Sequence, residues 1–181
     1  MTRQLREPPP AFLFFGVFTG FEAALDRIRE AVVRDFGPLH PGGESPVWPF
    51  PETETYRPTM GGGLRRRFFV VERLWPEDGL AAVKLRAMEM EDALRDEGTF
   101  PVERPVNVDP GLLDERRIIL ATTKPQPHRL YRGGGIWEEV TLVYQHGGYE
   151  SLPWTYPDFR APTYHPFLSE MRRDLLARRR G

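Results

Sequence analysis

The sequence contains no cysteine, which excludes disulfide bonds, thiolate metal sites and a cysteine nucleophile. No stretch approaches the roughly 20 apolar residues that a membrane-spanning helix needs. The lack of cysteine fits a reducing compartment. With no membrane span either, we expect a cytoplasmic protein without a membrane partner. The formal net charge of −1 provides no overall field that would attract nucleic acid. Two arginine triplets, at 65–67 and 178–180, lack the interleaved aromatic residues of single-strand binding surfaces, so no nucleic-acid partner is expected.

Motifs of several well-known chemistries are also missing. The glycine triplet 61–63 precedes a predicted strand and belongs to no G-x-x-x-x-G-K-[ST] loop, so it predicts a tight turn rather than a phosphate loop. Serine is scarce and no G-x-S-x-G elbow is present, which argues against a serine hydrolase. The histidines show no metal-binding spacing, and Asp109, His128 and Glu139 would form a site only if the fold brought them together. We predict no metal site, and the pattern indicates no particular cofactor.

Lysine is rare, whereas arginine is common. Of the 25 basic residues only Lys84 and Lys124 are lysines. Arginine and lysine are nearly equivalent on a solvated surface, but a site that needs a compact, titratable ammonium requires lysine. The two lysines are therefore candidates for a functional site, with chance retention as the alternative.

Hydrophobic patterning predicts one domain over residues 11–181, preceded by a loose arm at 1–10. We predict a buried central strand at 11–18, a helix at 20–36 opened by a Thr19/Glu22 capping box, and a strand at 64–75. Between them, 38–63 is interpreted as a long ordered loop or irregular strand.

The second half of the chain is predicted to begin with a helix from Pro76 to about Glu97. A VNVDPG turn, a strand RRIILATTK and a hairpin around the glycine turn 133–135 follow, and a basic helix spans 165–178. Alternation along the hairpin places one of Glu138 and Glu139 toward the interior. The pattern predicts an α+β fold, an antiparallel sheet with helices packed on one face, similar to a ferredoxin-like core with extensions.

Polar side chains that suit an anion-binding pocket concentrate between residues 84 and 158. They combine cationic donors, carboxylates, phenols and one histidine at predicted strand ends, helices and loops. An alternative interpretation is a set of interior salt bridges. The candidates are Lys84, Glu91, Arg104, Asn107, Asp109, Lys124, His128, Arg129, Tyr131, Glu139, Tyr156 and Asp158.

Three functions remain open from these residues. The first is binding of a small anionic metabolite or nucleotide, with Lys84, Lys124, His128 and Arg129 on the anion and Asn107, Asp109 and Glu139 orienting the ligand. The second is an enzyme that uses Lys124 or His128 as general acid or base, with Glu139 as the orienting carboxylate. The third is a protein-interaction module that uses the aromatic stretch 47–56.

Five short segments form a recognisable series along the chain: FFGVFTG, VNVDPG, LATTK, GIWEEVTL and WTYPD. In order and spacing, they resemble the family called domain of unknown function 4416. Single positions that carry the resemblance are Thr53, Tyr56, Met60, Gly61, Leu64, Arg66, Lys84 and Glu91. Both lysines and Asn107 fall on positions of the same residue type in the family pattern.

The resemblance implies no established activity, although some family members are labelled GTP-binding proteins. The phosphate-binding loop that such a label requires is absent from this sequence. The chain also departs from the family pattern at Thr59, where glutamate is usual, at Met88, where asparagine is usual, and at Leu112, where an aromatic residue is usual. The change at Thr59 puts a catalytic role for that loop in doubt.

Overall fold

The computed structural model describes residues 5–51 and 54–180 of the chain, so Thr53 lies outside the described residues. Its central strand is β1 (Ala11–Thr19), all nine residues of which are buried. Such a strand, apolar on both faces, needs neighbours on both edges and cover on both faces. Strand β4 (Arg65–Trp75) and strand β5 (Asn107–Leu113) flank it, and both run antiparallel to it.

The first half of the chain forms the predicted ferredoxin-like core. Helix α1 (Glu22–Phe36) leads from β1 to the edge strand β2 (Leu39–Glu44), and helix α3 (Leu80–Asp96) leads from β4 to β5. The spatial order β2-β4-β1-β5 is that of a βαββαβ unit with antiparallel neighbours. The α+β class predicted from the sequence is confirmed.

Further strands extend the sheet beyond β5. They are β6 (Arg117–Thr122), β8 (Ile136–Gln145) and the edge strand β7 (Leu130–Gly133), while β9 (Gly148–Ser151) pairs with the far end of β8. The predicted glycine turn joins β7 to β8, where Gly134 and Gly135 both have positive φ, 60° and 80°. Two positive φ angles are what a tight two-residue hairpin requires.

Both faces of the sheet are covered, which differs from the prediction that helices pack on one face. Helices α1 and α3 cover the face that carries Leu13 and Phe15. The terminal helix α5 (His165–Arg180) covers the opposite face, against Phe12 and Phe14. The reason is the continuous apolar character of β1, which leaves no face of its pleat to solvent.

Two local predictions were wrong. Thr19 is the last residue of β1 and not a helix cap, because its hydroxyl donates to the Pro105 carbonyl at 2.5 Å and α1 begins after Phe21. The VNVDPG segment is strand β5 and not a turn. Strand β6 pairs only with the part of β5 from Gly111 onward, so Pro110 lies where β5 has one neighbour and its missing N–H is tolerated.

The remaining predicted loops contain short elements. Residues 38–63 include β2, the two-residue strand β3 (Trp48–Pro49) and a short helix α2 (Arg57–Met60). Helix α4 (Pro157–Arg160) follows β9, and a 3-10 turn (Glu77–Gly79) precedes α3. Residues 5–10 of the predicted arm form no helix or strand, and Arg179 donates to the Pro9 and Pro10 carbonyls. No helix within the described ranges is long and apolar enough to cross a membrane.

Candidate functional site

A cleft lies at one end of the sheet, where β1 and β6 finish and β4 and β5 begin. Its volume is about 160 Å³. Phe18 at the end of β1 pairs with both Arg66 and Asn107, so the antiparallel register brings polar groups from three strands to the same end. The lining residues are Phe18, Phe50, Tyr56, Arg66, Lys84, Arg104, Asn107, Asp109, Leu120, Ala121, Thr122, Thr123, Lys124, Tyr156, Asp158 and Phe159.

Arg66 is the deepest cation of the cleft, with 3% of its surface exposed. Its guanidinium carbon lies 5.1 Å from the ring centre of Phe18 and 4.9 Å from that of Phe50. The nearest carboxylate oxygens belong to Asp158 and Asp109, at 3.6 and 3.7 Å, beyond normal hydrogen-bond length. The buried Nε has no hydrogen-bond partner within the described residues. Arg66 therefore carries a buried positive charge that retains hydrogen-bonding capacity.

Lys84 reaches the cleft from α3 and is also buried. Its Nζ donates to the Val108 carbonyl at 2.9 Å and lies 3.4 Å from Asp109 Oδ1. Helix α3 packs directly on β5, which is why a helical lysine meets the backbone of this strand. The ammonium is thus anchored on the protein side and faces a carboxylate that is itself part of the cleft wall.

Asn107, Asp109 and Arg104 form a hydrogen-bonded row along the start of β5. Asn107 Nδ2 donates to Asp109 Oδ2 at 2.6 Å, and Arg104 donates to the Asn107 amide oxygen. Because β5 is a strand, residues 107 and 109 lie on the same side of it, and this explains why the two side chains meet. The row places an amide, a carboxylate and a guanidinium side by side on one wall.

Glu91 supports this wall from behind and does not line the cleft. Its Oε1 accepts the Val108 backbone N–H at 2.6 Å, and its Oε2 lies 3.2 Å from Arg104. Burial raises the pKa of the Glu91 carboxyl, while the charges of Lys84 and Arg104 oppose that shift. The prediction that Lys84 and Glu91 share a face of one helix agrees with this geometry, since both contact Val108.

Lys124 lines the cleft from the exposed segment that follows β6. Its ammonium has no hydrogen-bond or ion-pair partner among residues 5–51 and 54–180. Both lysines therefore line a single cleft, which is the arrangement on which the site predicted from the sequence depends.

Tyr156 and Asp158 come from the segment that forms α4. Burial raises the pKa of the Tyr156 phenol to about 12, with a further contribution from the Glu139 charge. Asp158 is 9% exposed, and its Oδ2 accepts the Tyr164 hydroxyl at 3.3 Å. The Tyr156 phenol thus stays protonated over the ordinary pH range, and its hydroxyl is a neutral hydrogen-bonding group at the cleft.

His128, Arg129 and Glu139 form a separate network that does not line the cleft. Glu139 Oε2 accepts from Arg129 Nε at 2.8 Å and lies 3.0 Å from His128 Nε2. The His128 ring stacks on Trp154, with ring centres 5.0 Å apart. The network contacts the cleft through Tyr156, whose hydroxyl accepts from Arg129 at 2.8 Å.

Both hairpin glutamates are buried, although the alternation predicted only one inward side chain. Glu139 pairs with Leu120, on the face that α5 covers, whereas Glu138 pairs with Ala121 on the opposite face. Each has an arginine partner, Arg129 for Glu139 and Arg132 for Glu138. The difference arises because both faces of this sheet are covered.

Tyr131 does not line the cleft. It lies on the edge strand β7, is 59% exposed and contacts Trp137.

No group of three or more histidine, aspartate and glutamate side chains within the described residues is arranged to hold a metal ion. Asp109 in particular contacts Lys84, Asn107 and Arg66, while Glu139 contacts His128.

Arg66 is the charged residue of the cleft lining that sequence reasoning did not include among the candidates. The available signal was the arginine triplet itself, because on a strand the middle residue faces away from Arg65 and Arg67. Its pairing with the buried Phe18 determines which face that is. Phe50 and Tyr56 of the aromatic stretch also belong to the cleft wall.

Residues 9–175 match the model of the family described as Domain of unknown function (DUF4416). The chain belongs to this family. The match covers the whole sheet and every residue of the cleft, and it confirms the resemblance that the sequence motifs indicated. Neither a curated protein nor a solved structure matches the chain.

Proposed function

We propose that the cleft of this DUF4416 protein binds a small metabolite or nucleotide through an anionic group, a phosphate or a carboxylate. The observation that carries the proposal is Arg66, a buried guanidinium at the cleft whose Nε has no hydrogen-bond partner in the described part of the chain. A buried donor without a partner costs free energy. An anion bound in the cleft would accept from the terminal nitrogens of the same guanidinium, which also have no hydrogen-bond partner within the described residues.

The charge of the lining supports an anionic ligand. Four cationic side chains and two carboxylates line the cleft. Arg66 provides a planar fork suited to carboxylate or phosphate oxygens, whereas Lys84 and Lys124 act as point charges. Asn107 and Asp109 are suited to neighbouring hydroxyl groups of the ligand. His128 and Arg129, expected from the sequence to contact the anion, lie outside this lining and are not assigned that role.

The size of the cleft limits what it encloses. A volume of about 160 Å³ is similar to cavities that hold a benzene-sized molecule. The enclosed part of the ligand is therefore a phosphate or carboxylate group with a few attached atoms. The exposed position of Lys124 leaves space for a larger remainder, such as the rest of a nucleotide, outside the enclosed volume.

A catalytic role for Lys124 is the second candidate. Its ammonium is exposed and unpaired within the described ranges, so it is available to accept or donate a proton at the cleft. Replacement by arginine keeps the positive charge but exchanges the amine for a guanidinium, which does not give up its proton. An enzyme of this kind would lose turnover in Lys124→Arg while keeping its melting temperature, whereas a binding protein would tolerate the change.

The interaction module has less support. Phe50 is 9% exposed and stacks on Phe18, and Trp48 packs against Tyr164 and Phe167. These aromatic side chains are used inside the molecule, which reduces the surface that they offer to a partner. The cytoplasmic location expected from the sequence stays a prediction.

Calorimetric titration with inorganic phosphate, acetate and a small phosphomonoester tests the proposed function. We expect the wild-type protein to bind at least one of the three, and Lys124→Met to bind it about tenfold more weakly, as for the loss of one charged hydrogen bond. Arg116→Met is the matched control, because it removes one positive charge from an 82% exposed side chain that does not line the cleft. No wild-type binding, or an equal loss in both variants, would overturn the proposal.

A further inference from the structure

Arg129 connects the cleft to the buried carboxylate of Glu139. Its Nε donates to Glu139 at 2.8 Å, one terminal nitrogen donates to the Lys124 carbonyl at 2.7 Å, and the other donates to the Tyr156 hydroxyl at 2.8 Å. We infer that Arg129 is a positioning residue, which holds Lys124 and Tyr156 in place at the anion site. The inference rests on the proposed function and adds a residue that does not contact the ligand.

The geometry explains why Arg129 positions and does not bind. All three of its side-chain nitrogens already donate to protein acceptors, and its side chain is 7% exposed. Lysine carries its three N–H donors on a single nitrogen, which cannot reach three acceptors placed around a planar guanidinium. The guanidinium fork therefore links a loop, a tyrosine and a strand in a way that no other side chain can.

Glu139 fixes Arg129 to the sheet. Its side chain is fully buried on β8, and its other oxygen, Oε1, accepts the Thr141 hydroxyl at 3.1 Å. A buried carboxylate needs its partners, because removal of one leaves an uncompensated charge. Arg129 thus links Glu139, which lies within strand β8, to the loop that carries Lys124.

The loop has few other attachments. Residues 123–127 are exposed and belong to no helix or strand. Besides those of the Arg129 side chain, the hydrogen bonds of this segment with residues 5–51 and 54–180 are local. They run from the Lys124 N–H to Thr122 Oγ1 at 3.2 Å and from the Arg129 N–H to the Gln126 carbonyl at 3.0 Å. The bond from Arg129 to the Lys124 carbonyl therefore determines where the exposed ammonium lies relative to Arg66 and Lys84.

Arg129→Lys tests the inference, and Arg132→Lys is its matched control. Arg132 forms the equivalent pair with Glu138 on the opposite face of the same hairpin, with Nε 2.7 Å from the carboxylate. In Arg129→Lys we expect hydrogen exchange to accelerate without ligand at the Lys124 and Arg129 amides, the two of this segment that donate hydrogen bonds. Affinity for inorganic phosphate should fall about tenfold, as for one charged hydrogen bond. Arg132→Lys should change neither quantity.

Tyr156→Phe is a second variant for the case that Arg129→Lys does not fold. It changes no charge. It removes one acceptor of Arg129, so exchange of the Lys124 and Arg129 amides should accelerate to a smaller extent. Unchanged exchange, or phosphate affinity equal to that of Arg132→Lys, would overturn the inference and leave the proposed function standing. Absence of phosphate, acetate and phosphomonoester binding in the wild type would overturn the proposed function itself, and the inference with it.

Discussion

The floor and the rim of the cleft use positive charge in different ways. The floor, Arg66 and Lys84, is buried, and its charges lie beside carboxylates and a backbone carbonyl. The rim, Lys124, is exposed and its ammonium has no partner within residues 5–51 and 54–180. A buried charge with partners affects both the stability of the fold and the binding of a ligand. An exposed charge without partners contributes little to stability and affects mainly ligand binding. Variants of the floor and the rim should therefore separate stability from binding.

Arg66→Met should give the largest loss of stability. It leaves Asp158 buried without its cation, and breaking a buried pair in this way costs about 3 to 5 kcal/mol. Urea unfolding measures the change in the free energy of unfolding. Arg67→Met is the matched control on the opposite face of β4, since Arg67 is partly exposed and pairs with Glu44, a contact worth about 0 to 1 kcal/mol. Equal losses in the two variants would show that the buried Arg66 contributes no more to stability than the partly exposed Arg67.

Lys84→Met should give an intermediate loss. The Val108 carbonyl and Asp109 lose a charged donor, which typically costs about 1 to 3 kcal/mol. Arg95→Met on the same helix is the control, because Arg95 is half exposed and pairs with Asp92 and Asp96 on the surface. Urea unfolding of both variants checks the prediction, and a Lys84 variant as stable as the Arg95 variant would contradict it.

Loss of Lys84 also changes the environment of Glu91. The charge of Lys84 opposes the rise that burial causes in the pKa of Glu91. A raised carboxyl pKa means that the folded state holds its proton longer than the unfolded state, so stability falls as pH rises from the unfolded toward the folded pKa. That fall should extend to higher pH in Lys84→Met, as measured by unfolding over pH 4 to 8 relative to Arg95→Met.

Lys124→Met should give the smallest effect on stability. An exposed side chain without partners contributes within about 0.5 kcal/mol, so the free energy of unfolding should be unchanged. Thermal and urea unfolding check this, with Arg116→Met as the control for surface charge. A loss comparable to that of Lys84→Met would show that the rim is structural and would end the contrast with the floor.

The elements that carry strong local patterns were predictable from the sequence. Strand β1, helix α3 and the hairpin turn at Gly134 and Gly135 lie where the apolar periodicity and glycine placement predict them. Thr19 and Pro110 misled because their local signals, a helix cap and a turn, were overridden by strand pairing with distant residues. Strand pairing is a tertiary interaction, and single-residue preferences are weak beside it.

The site was predictable in part. Lys84, Lys124, Asn107 and Asp109 do line one cleft, but nothing in their spacing separated them from Glu139, which lies in the network beside the cleft. Arg66 was missed because the arginine triplet shows that it faces away from Arg65 and Arg67, but not which of the two faces is buried. That depends on the register with β1, and a shift of one residue would exchange the faces.

The sequence by itself determined the features of this protein that depend on composition and periodicity. These are its α+β class, most of its helices and strands, the absence of thiol chemistry, and the two rare lysines. Only the tertiary structure decided which charges meet, which face Arg66 occupies, and that α5 covers the second face of the sheet. The physical reason is that composition and periodicity are local properties of the chain. A cleft is instead formed by strand register and burial, which join residues far apart in sequence.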